Sequence, residues 1–240
     1  MERLAPSDRR LVWDACLNVR DLGGITCGET TIARGRLVRA SIIGSLSAAG
    51  RAAIRAHGIR SVVDLRTEEE VAADPSPYRA GLAYRHAPFA ALRIMGLHRA
   101  ALDGTLPDEL RRIAGPDMGL GVAVIAIAES EPGVVLHCLA GRDRTGIVIA
   151  TLLAAIGVPD EEIVADYVAS DVELAEDYTR FRAANPDRAA DIDDAIARRA
   201  WVMSEVLAAL RSVFGGGAPY LRVAGVLPEQ LEAIRAMLLA

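Results

Sequence analysis

One stretch limits what this chain can fold into more than any other: Val134–Val158. Val134-Val135-Leu136 is short, apolar and rich in β-branched residues, and reads as a buried strand. Thr145–Ile156 is dominated by Ala, Leu and Ile and reads as a buried helix. Between them Cys138–Arg144 forms a tight loop. A strand that enters a helix through a glycine-bearing loop leaves unpaired backbone N–H groups and the positive end of the helix dipole at one point. That is an anion site.

This anion site has a thiol at its start and an arginine at its end. A thiol attacks as the thiolate, which a helix N-terminus and a nearby arginine favour, so Cys138 is the candidate nucleophile. The planar fork of Arg144 suits two phosphate oxygens. The loop Leu139, Ala140, Gly141, Arg142, Asp143 and Arg144 is the candidate phosphate cradle. Thr145 is placed to hydrogen-bond the sulfur and ease its departure in a second step. His137 and Gly146 support the loop, and Gly141 permits its close turn. An inert buried cysteine is the plainer reading of Cys138, but it leaves Arg142, Asp143 and Arg144 unexplained.

His137-Cys138-Leu139-Ala140-Gly141-Arg142-Asp143-Arg144-Thr145-Gly146 resembles the His-Cys-x-x-Gly-x-x-Arg-Thr-Gly signature of cysteine-dependent protein tyrosine and dual-specificity phosphatases. The Ala-Gly-(Lys/Arg)-Asp-Arg-Thr-Gly form is similar to the bacterial tyrosine and phosphoinositide phosphatases. Many of those carry Lys at the position of Arg142, which keeps the charge and changes the geometry. Asn18-Val19-Arg20-Asp21-Leu22-Gly23-Gly24 reads by spacing as a surface turn. It also resembles the Asn-x-Arg-Asp-x-Gly-Gly segment of the same bacterial family, where such residues help to shape the start of the domain. By that resemblance Arg20 and Asp21 are supporting residues behind the site.

In chain order, residues 1–10 are expected to be a loose arm. Arg36–Ser41 reads as a strand, and Leu46-Ser47 starts a helix that runs through His57 and ends at Gly58. His57, at that helix end, reads as structural. Ile59–Leu65 is a second apolar strand, and Thr67-Glu68-Glu69-Glu70 is a capping-box pattern opening the next helix. Asp64 therefore lies near the carboxyl end of a strand, where α/β folds gather their sites; a salt bridge to a structural arginine is the competing reading. Tyr84–Pro88 is a further strand. Phe89–Met118 reads as helical, with Arg93, His98, Arg99, Arg111 and Arg112 on a solvated face or near substrate. Gly119–Glu129 is a helix leading into the signature strand. Pro159 opens a helix with acids in its first turn. Asp171–Ala184 and Ala189–Val213 are helical stretches ended by Gly215–Gly217, and Pro228–Ala240 is a closing helix. The helical tail resembles the family's, where such helices cover the pocket. The predicted fold is thus α/β: a central, mostly parallel sheet flanked by helices, with a helical C-terminal part, in a single domain over 1–240.

Composition narrows the partners. A net charge of −5 argues against nucleic acid as the main ligand, and every basic residue of the chain is arginine. Cys16, Cys27 and Cys138 are too few and too scattered for a disulfide framework or a zinc cluster, and a reducing compartment suits a catalytic thiol. Met1–Arg10 is polar and charged, unlike a signal peptide, and the longest apolar run, Ile147–Val158, is too short to span a bilayer. A cytoplasmic location without an integral membrane segment is expected.

The chemistry expected is phosphomonoester hydrolysis through a phosphocysteine, releasing inorganic phosphate, with no metal and no cofactor. The substrates implied by the resemblance are phosphotyrosine proteins, with dual or phosphoinositide specificity as extensions. A general acid must protonate the leaving oxygen. Neither Trp13 nor Trp201 begins the Trp-Pro-Asp triplet that many tyrosine phosphatases use. The candidates are Asp143 and Asp64. Asp143, flanked by Arg142 and Arg144, is expected to stay ionised and to suit water activation, so Asp64 is preferred as the acid. The alternatives are a catalytically silent phosphate-binding module and a rhodanese-like sulfur transferase. The intact Cys–Arg–Thr set argues against the first, and the Arg144-Thr145 ending against the second.

Overall fold

The computed structural model of the chain describes residues 4–80, 82–89 and 95–239. Its strands, in chain order, are β1 (Arg20–Asp21), β2 (Thr26–Cys27), β3 (Thr30–Thr31), β4 (Leu37–Ala40), β5 (Ser61–Asp64), β6 (Ala83–His86) and β7 (Val134–His137). The main sheet has the order β1-β4-β7-β5-β6; β2 and β3 form a small separate hairpin. β4, β7, β5 and β6 are parallel, and β1 is antiparallel on the edge. The signature strand β7 is therefore central. Register aligns Ala40, His137, Asp64 and His86 across the carboxyl ends of the four parallel strands.

The helices are α1 (Ala48–Ala56), α2 (Glu68–Ala73), α3 (Met95–Leu102), α4 (Leu106–Ile113), α5 (Leu120–Ala128), α6 (Asp143–Ile156), α7 (Asp160–Glu173), α8 (Ala175–Ala184), α9 (Ala189–Ala197), α10 (Arg199–Phe214), α11 (Gly217–Val223) and α12 (Pro228–Leu239). Local signals account for several boundaries. The Ser47 side chain accepts from the Gly50 amide at the start of α1. Thr67 and Glu70 form a complete capping box at α2. The expected Asp171–Ala184 helix is divided instead, its first turn closing α7 and the remainder forming α8. Gly217 does not end the helical region but starts α11. A Cβ there would lie 2.5 Å from the Ala155 amide nitrogen, so the missing side chain lets α11 pack directly on α6.

Side-chain alternation along the strands assigns the two faces of the sheet. Leu37, Val63, Val134 and Leu136 enter the larger core, with α5, α6, α10 and α12. Val38, Ala40, Val62 and Val135 enter a smaller core with Trp13 and Ile54 of the α1 side. In the 89–118 region α3 and α4 replace the expected continuous helical reading, and Arg93 lies outside the described residues. Arg111 and Arg112 pair with Asp108 and Glu109 on their own helix, Arg99 faces Asp103, and His98 faces Asp194.

The expected loose arm is overturned for residues 4–10. Pro6–Arg9 is a 3-10 turn, and the Arg9 side chain is buried on Asp166, at 3.0 Å. Arg10 forms a bridge with Arg20 and an ion pair with Glu173. A buried charge held by a buried partner fixes the segment that carries it.

Candidate active site

Cys138 follows β7, is buried, and opens the loop that runs to Arg142. α6 starts at Asp143 with no side chain capping its first N–H groups, which leaves those donors for an anion. Gly141 has a φ of +63°, and a Cβ there would stand 2.1 Å from the Ala40 carbonyl oxygen. Only glycine meets both demands. Gly146 plays a different part: a Cβ would lie 2.5 Å from the Tyr167 ring, so its absence lets α7 approach α6. From the β1 side, Asn18 Nδ2 donates to the carbonyls of Ala140 (2.9 Å) and Gly141 (3.0 Å). The residues at 18–24, read by spacing as a surface turn, are buried, and Asn18 is the one that reaches the loop. Asp21 accepts from the amides of Gly23 and Gly35 and from His57, which confirms His57 as structural.

Arg144 folds back under the loop, and both of its terminal nitrogens reach the Glu70 carboxylate, Nη2 at 2.9 Å. The Glu70 carboxyl is held below its usual range: burial pushes it up, and the Arg144 hydrogen bonds pull it further down. Glu70 thus serves both the capping box of α2 and the orientation of Arg144. The capping pattern accounted fully for its presence in the sequence, so nothing there pointed to the second role.

Asp143 is not clamped by two arginines. Its carboxylate takes a two-pronged bond from Arg142, both at 2.6 Å, while Arg144 belongs to Glu70. Arg142 also donates to the Tyr178 hydroxyl and lies over that ring, and Arg199 reaches the same hydroxyl at 3.0 Å. Arg142, Asp143 and Ala140 wall one side of a cavity of about 470 Å³ closed by Tyr178, Phe181 and Val202. The other side is thus made by α3, α8, α9 and α10, and Leu139 is exposed. Thr145 is buried, and its hydroxyl has no hydrogen-bond partner among the described residues. His137 donates through Nδ1 to the Cys138 carbonyl, 3.1 Å away, and burial holds its imidazole below the ordinary value against the pull of Asp64.

The preference for Asp64 as proton donor is corrected. Asp64 is fully buried on the face of the sheet that packs against α1. Arg66 grips both carboxylate oxygens, and the Tyr84 hydroxyl donates to one of them at 2.9 Å. Burial would raise this carboxyl, but the Arg66 hydrogen bonds and nearby His137 outweigh it and hold it at about 2. A group held ionised and sealed from solvent has no proton to give to a substrate. The salt-bridge reading is the correct one.

The sequence profile of the tyrosine phosphatase family matches residues 11–240. The chain is 32% identical over 232 residues to the tyrosine-protein phosphatase of Nostoc commune, covering 88% of this chain and 77% of that one. It is 29% identical over 274 residues to the triple specificity protein phosphatase PtpB of Mycobacterium tuberculosis, covering 92% and 96% of the two chains. The chain belongs to the tyrosine phosphatase family. The expected enzyme class, a phosphatase, agrees with that membership. Among the described residues no helix is long and apolar enough to cross a membrane.

Proposed function

We propose that this chain hydrolyses phosphomonoesters in two steps at the Cys138–Thr145 loop, with phosphotyrosine in proteins as its main substrate. The observation that carries the reading is a buried cysteine at the start of a loop that enters α6, a helix whose first N–H groups no side chain caps, with Arg144 in its first turn held by Glu70. Cys138 Sγ attacks phosphorus as the bond to the leaving oxygen breaks, and a phosphocysteine forms. The loop N–H groups and the part of the Arg144 fork not engaged by Glu70 hold the non-bridging oxygens where charge develops.

With Asp64 removed from the role, Asp143 is the carboxyl group that belongs both to the phosphate loop and to the cavity wall, where Asp177 of α8 also stands, and it protonates the departing oxygen. Arg142 turns that carboxyl toward the cavity. In the second step Asp143 takes a proton from water as water attacks phosphorus and Cys138 leaves as thiolate. The unpaired Thr145 hydroxyl stabilises that sulfur. Inorganic phosphate is released, and the steps use no metal or cofactor. A thiolate nucleophile suits a reducing, cytoplasmic setting.

The substrate assignment rests on the cavity beside Asp143, whose aromatic and aliphatic walls suit a phenolic leaving group. The names of the relatives support it. The words triple specificity extend the candidates to phosphoserine or phosphothreonine and to phosphoinositides. Turnover of p-nitrophenyl phosphate tests the reaction, with Cys138→Ser expected to lose turnover and still bind tungstate. Retained turnover in that variant refutes the mechanism. A panel of phosphopeptides and phosphoinositides, compared by kcat/KM, ranks the substrates, and phosphotyrosine peptides are expected to lead.

A further inference from the structure

Beneath the loop, three guanidinium groups from separate parts of the chain converge on one carboxylate. Asp166 of α7 accepts from Arg9 at 3.0 Å and Arg20 at 3.3 Å through one oxygen, and from Arg39 through the other. All four side chains are 1% exposed. Three cations and one anion leave two positive charges within the group. The Arg9 Nε and Arg39 Nε atoms have no hydrogen-bond partner among the described residues. Burial and its two arginine neighbours push the Arg20 guanidinium down to about 10, against the pull of Asp166. Burying charge in this way costs several kcal/mol unless something offsets it, and folding alone gives no reason for a β-strand to carry Arg39 between Val38 and Ala40.

The reason lies in what Arg39 does with its other nitrogen. Nη2 donates to the Gly141 carbonyl at 2.7 Å and reaches the Arg142 carbonyl at 3.4 Å. Asn18, itself held by Arg20, donates to the carbonyls of Ala140 and Gly141. In a trans peptide the carbonyl of one residue and the N–H of the next point in opposite directions. Pinning the carbonyls of Ala140, Gly141 and Arg142 from below therefore aims the N–H groups of Gly141, Arg142 and Asp143 upward into the anion position.

We propose that Arg39, backed by Asp166 and working with Asn18, is a positioning residue of the phosphate loop, and that the surplus positive charge beneath it is offset by the bound phosphate dianion. The inference rests on the phosphatase reading above. It assigns Arg39 no contact with substrate, only control of the donors that make that contact.

Full-length wild type, Arg39→Gln, Arg39→Lys and Asn18→Gly are compared on p-nitrophenyl phosphate, with tungstate as the inhibitory oxyanion and thermal melting with and without tungstate. Arg39→Gln is expected to lower kcat by about tenfold or more and to raise the tungstate inhibition constant about tenfold, since oriented donors act most strongly on developing charge. The rise in melting temperature caused by tungstate shrinks in the same variant. Arg39→Lys restores the charge without the two-carbonyl fork, so tungstate binding recovers in part while kcat stays low. A residue that merely holds the fold together would lower the melting temperature and leave the tungstate constant of the surviving enzyme unchanged, and that result overturns the proposal. If Arg39→Gln does not fold, Asn18→Gly releases the carbonyls of Ala140 and Gly141, the second of which Arg39 also holds, keeps the positive φ of position 18 and removes no charge. A wild-type kcat in Asn18→Gly overturns the proposal as well. Failure of the phosphatase reading is distinct: it shows as wild type without turnover, or as turnover surviving Cys138→Ser.

Discussion

The Arg144–Glu70 pair offers a sharp perturbation, because Glu70→Gln separates two roles of one side chain. Glutamine still accepts from the Thr67 amide, now 2.8 Å from the carboxylate, and is an accepted capping-box residue, so α2 is preserved. It loses the charge and one of the two acceptors that hold Arg144. The pair is 9% and 23% exposed, so solvent screens it only in part. Losing one charge-assisted hydrogen bond of a partly screened pair costs about 1.5–2.5 kcal/mol. Expressed wholly as lost alignment in the transition state, that is about a 10- to 70-fold drop in kcat/KM. Glu70→Ala adds the loss of the cap, about 1 kcal/mol and about 2–4 °C in melting temperature for a domain of this size. The assay is kcat/KM on p-nitrophenyl phosphate beside a thermal melt for each variant. Glu70→Gln with wild-type kcat/KM would show that Arg144 is positioned without Glu70, and the reasoning would be refuted.

Three further outcomes are expected. Asp143→Asn slows an alkyl phosphate much more than p-nitrophenyl phosphate, whose leaving group hardly needs a proton, whereas Asp64→Asn affects both equally and lowers the melting temperature; the reverse pattern restores Asp64 as the acid. Thermal melts across pH should show acid lability in two windows. His137 is depressed below 6.5, so its contribution is full above that value and is lost as pH falls below it. The Asp64 carboxyl, lowered from 3.8 to about 2, contributes on the order of 2 kcal/mol above about pH 4, which is lost as pH falls toward 2; a melting temperature flat from pH 7 to 3 contradicts both. Finally, activity should survive a chelator and be lost with vanadate or a thiol alkylator, since the proposed chemistry rests on a thiol and an arginine; loss to the chelator, reversed by a divalent ion, rejects that reading.

The strand–loop–helix frame was legible because its signals are local: β-branched runs for β4, β5 and β7, Ser47 and Thr67 as caps, and Gly141 at the turn. The place of Asp64 at the carboxyl end of its strand was also legible, and there it lies in register with His137. What was hidden lies across long sequence separations. Asp166 reads in sequence as one acid of an amphipathic helix, yet it joins Arg9, Arg20 and Arg39 from elements far away in the chain. Arg10 and the preceding turn look solvated because their partners, Glu173 and Asp166, lie more than 150 residues further on. The sequence does carry one signal of this group: an arginine inside a strand as apolar as Leu37–Ala40 needs a buried partner, because isolated charges are not left in cores.

Arginine pairing also hides the proton donor in the sequence. Four carboxylates around the loop each have an arginine: Asp64 with Arg66, Glu70 with Arg144, Asp143 with Arg142, Asp166 with Arg39. In a chain whose basic residues are all arginine, pairing by charge therefore does not distinguish a proton donor from a strut. Topology does. Asp64 ends β5 in register with His137, and side-chain alternation sends it toward α1, while α6 and the cavity lie on the opposite face. Glu70 is spent on holding Arg144, and Asp166 on holding Arg39, which in turn holds the loop. Asp143, at the first residue of α6, is the member of the set that also forms the cavity wall. Proton transfer needs reach before it needs the right acidity, and reach is a property of the sheet's two faces that strand order alone does not disclose.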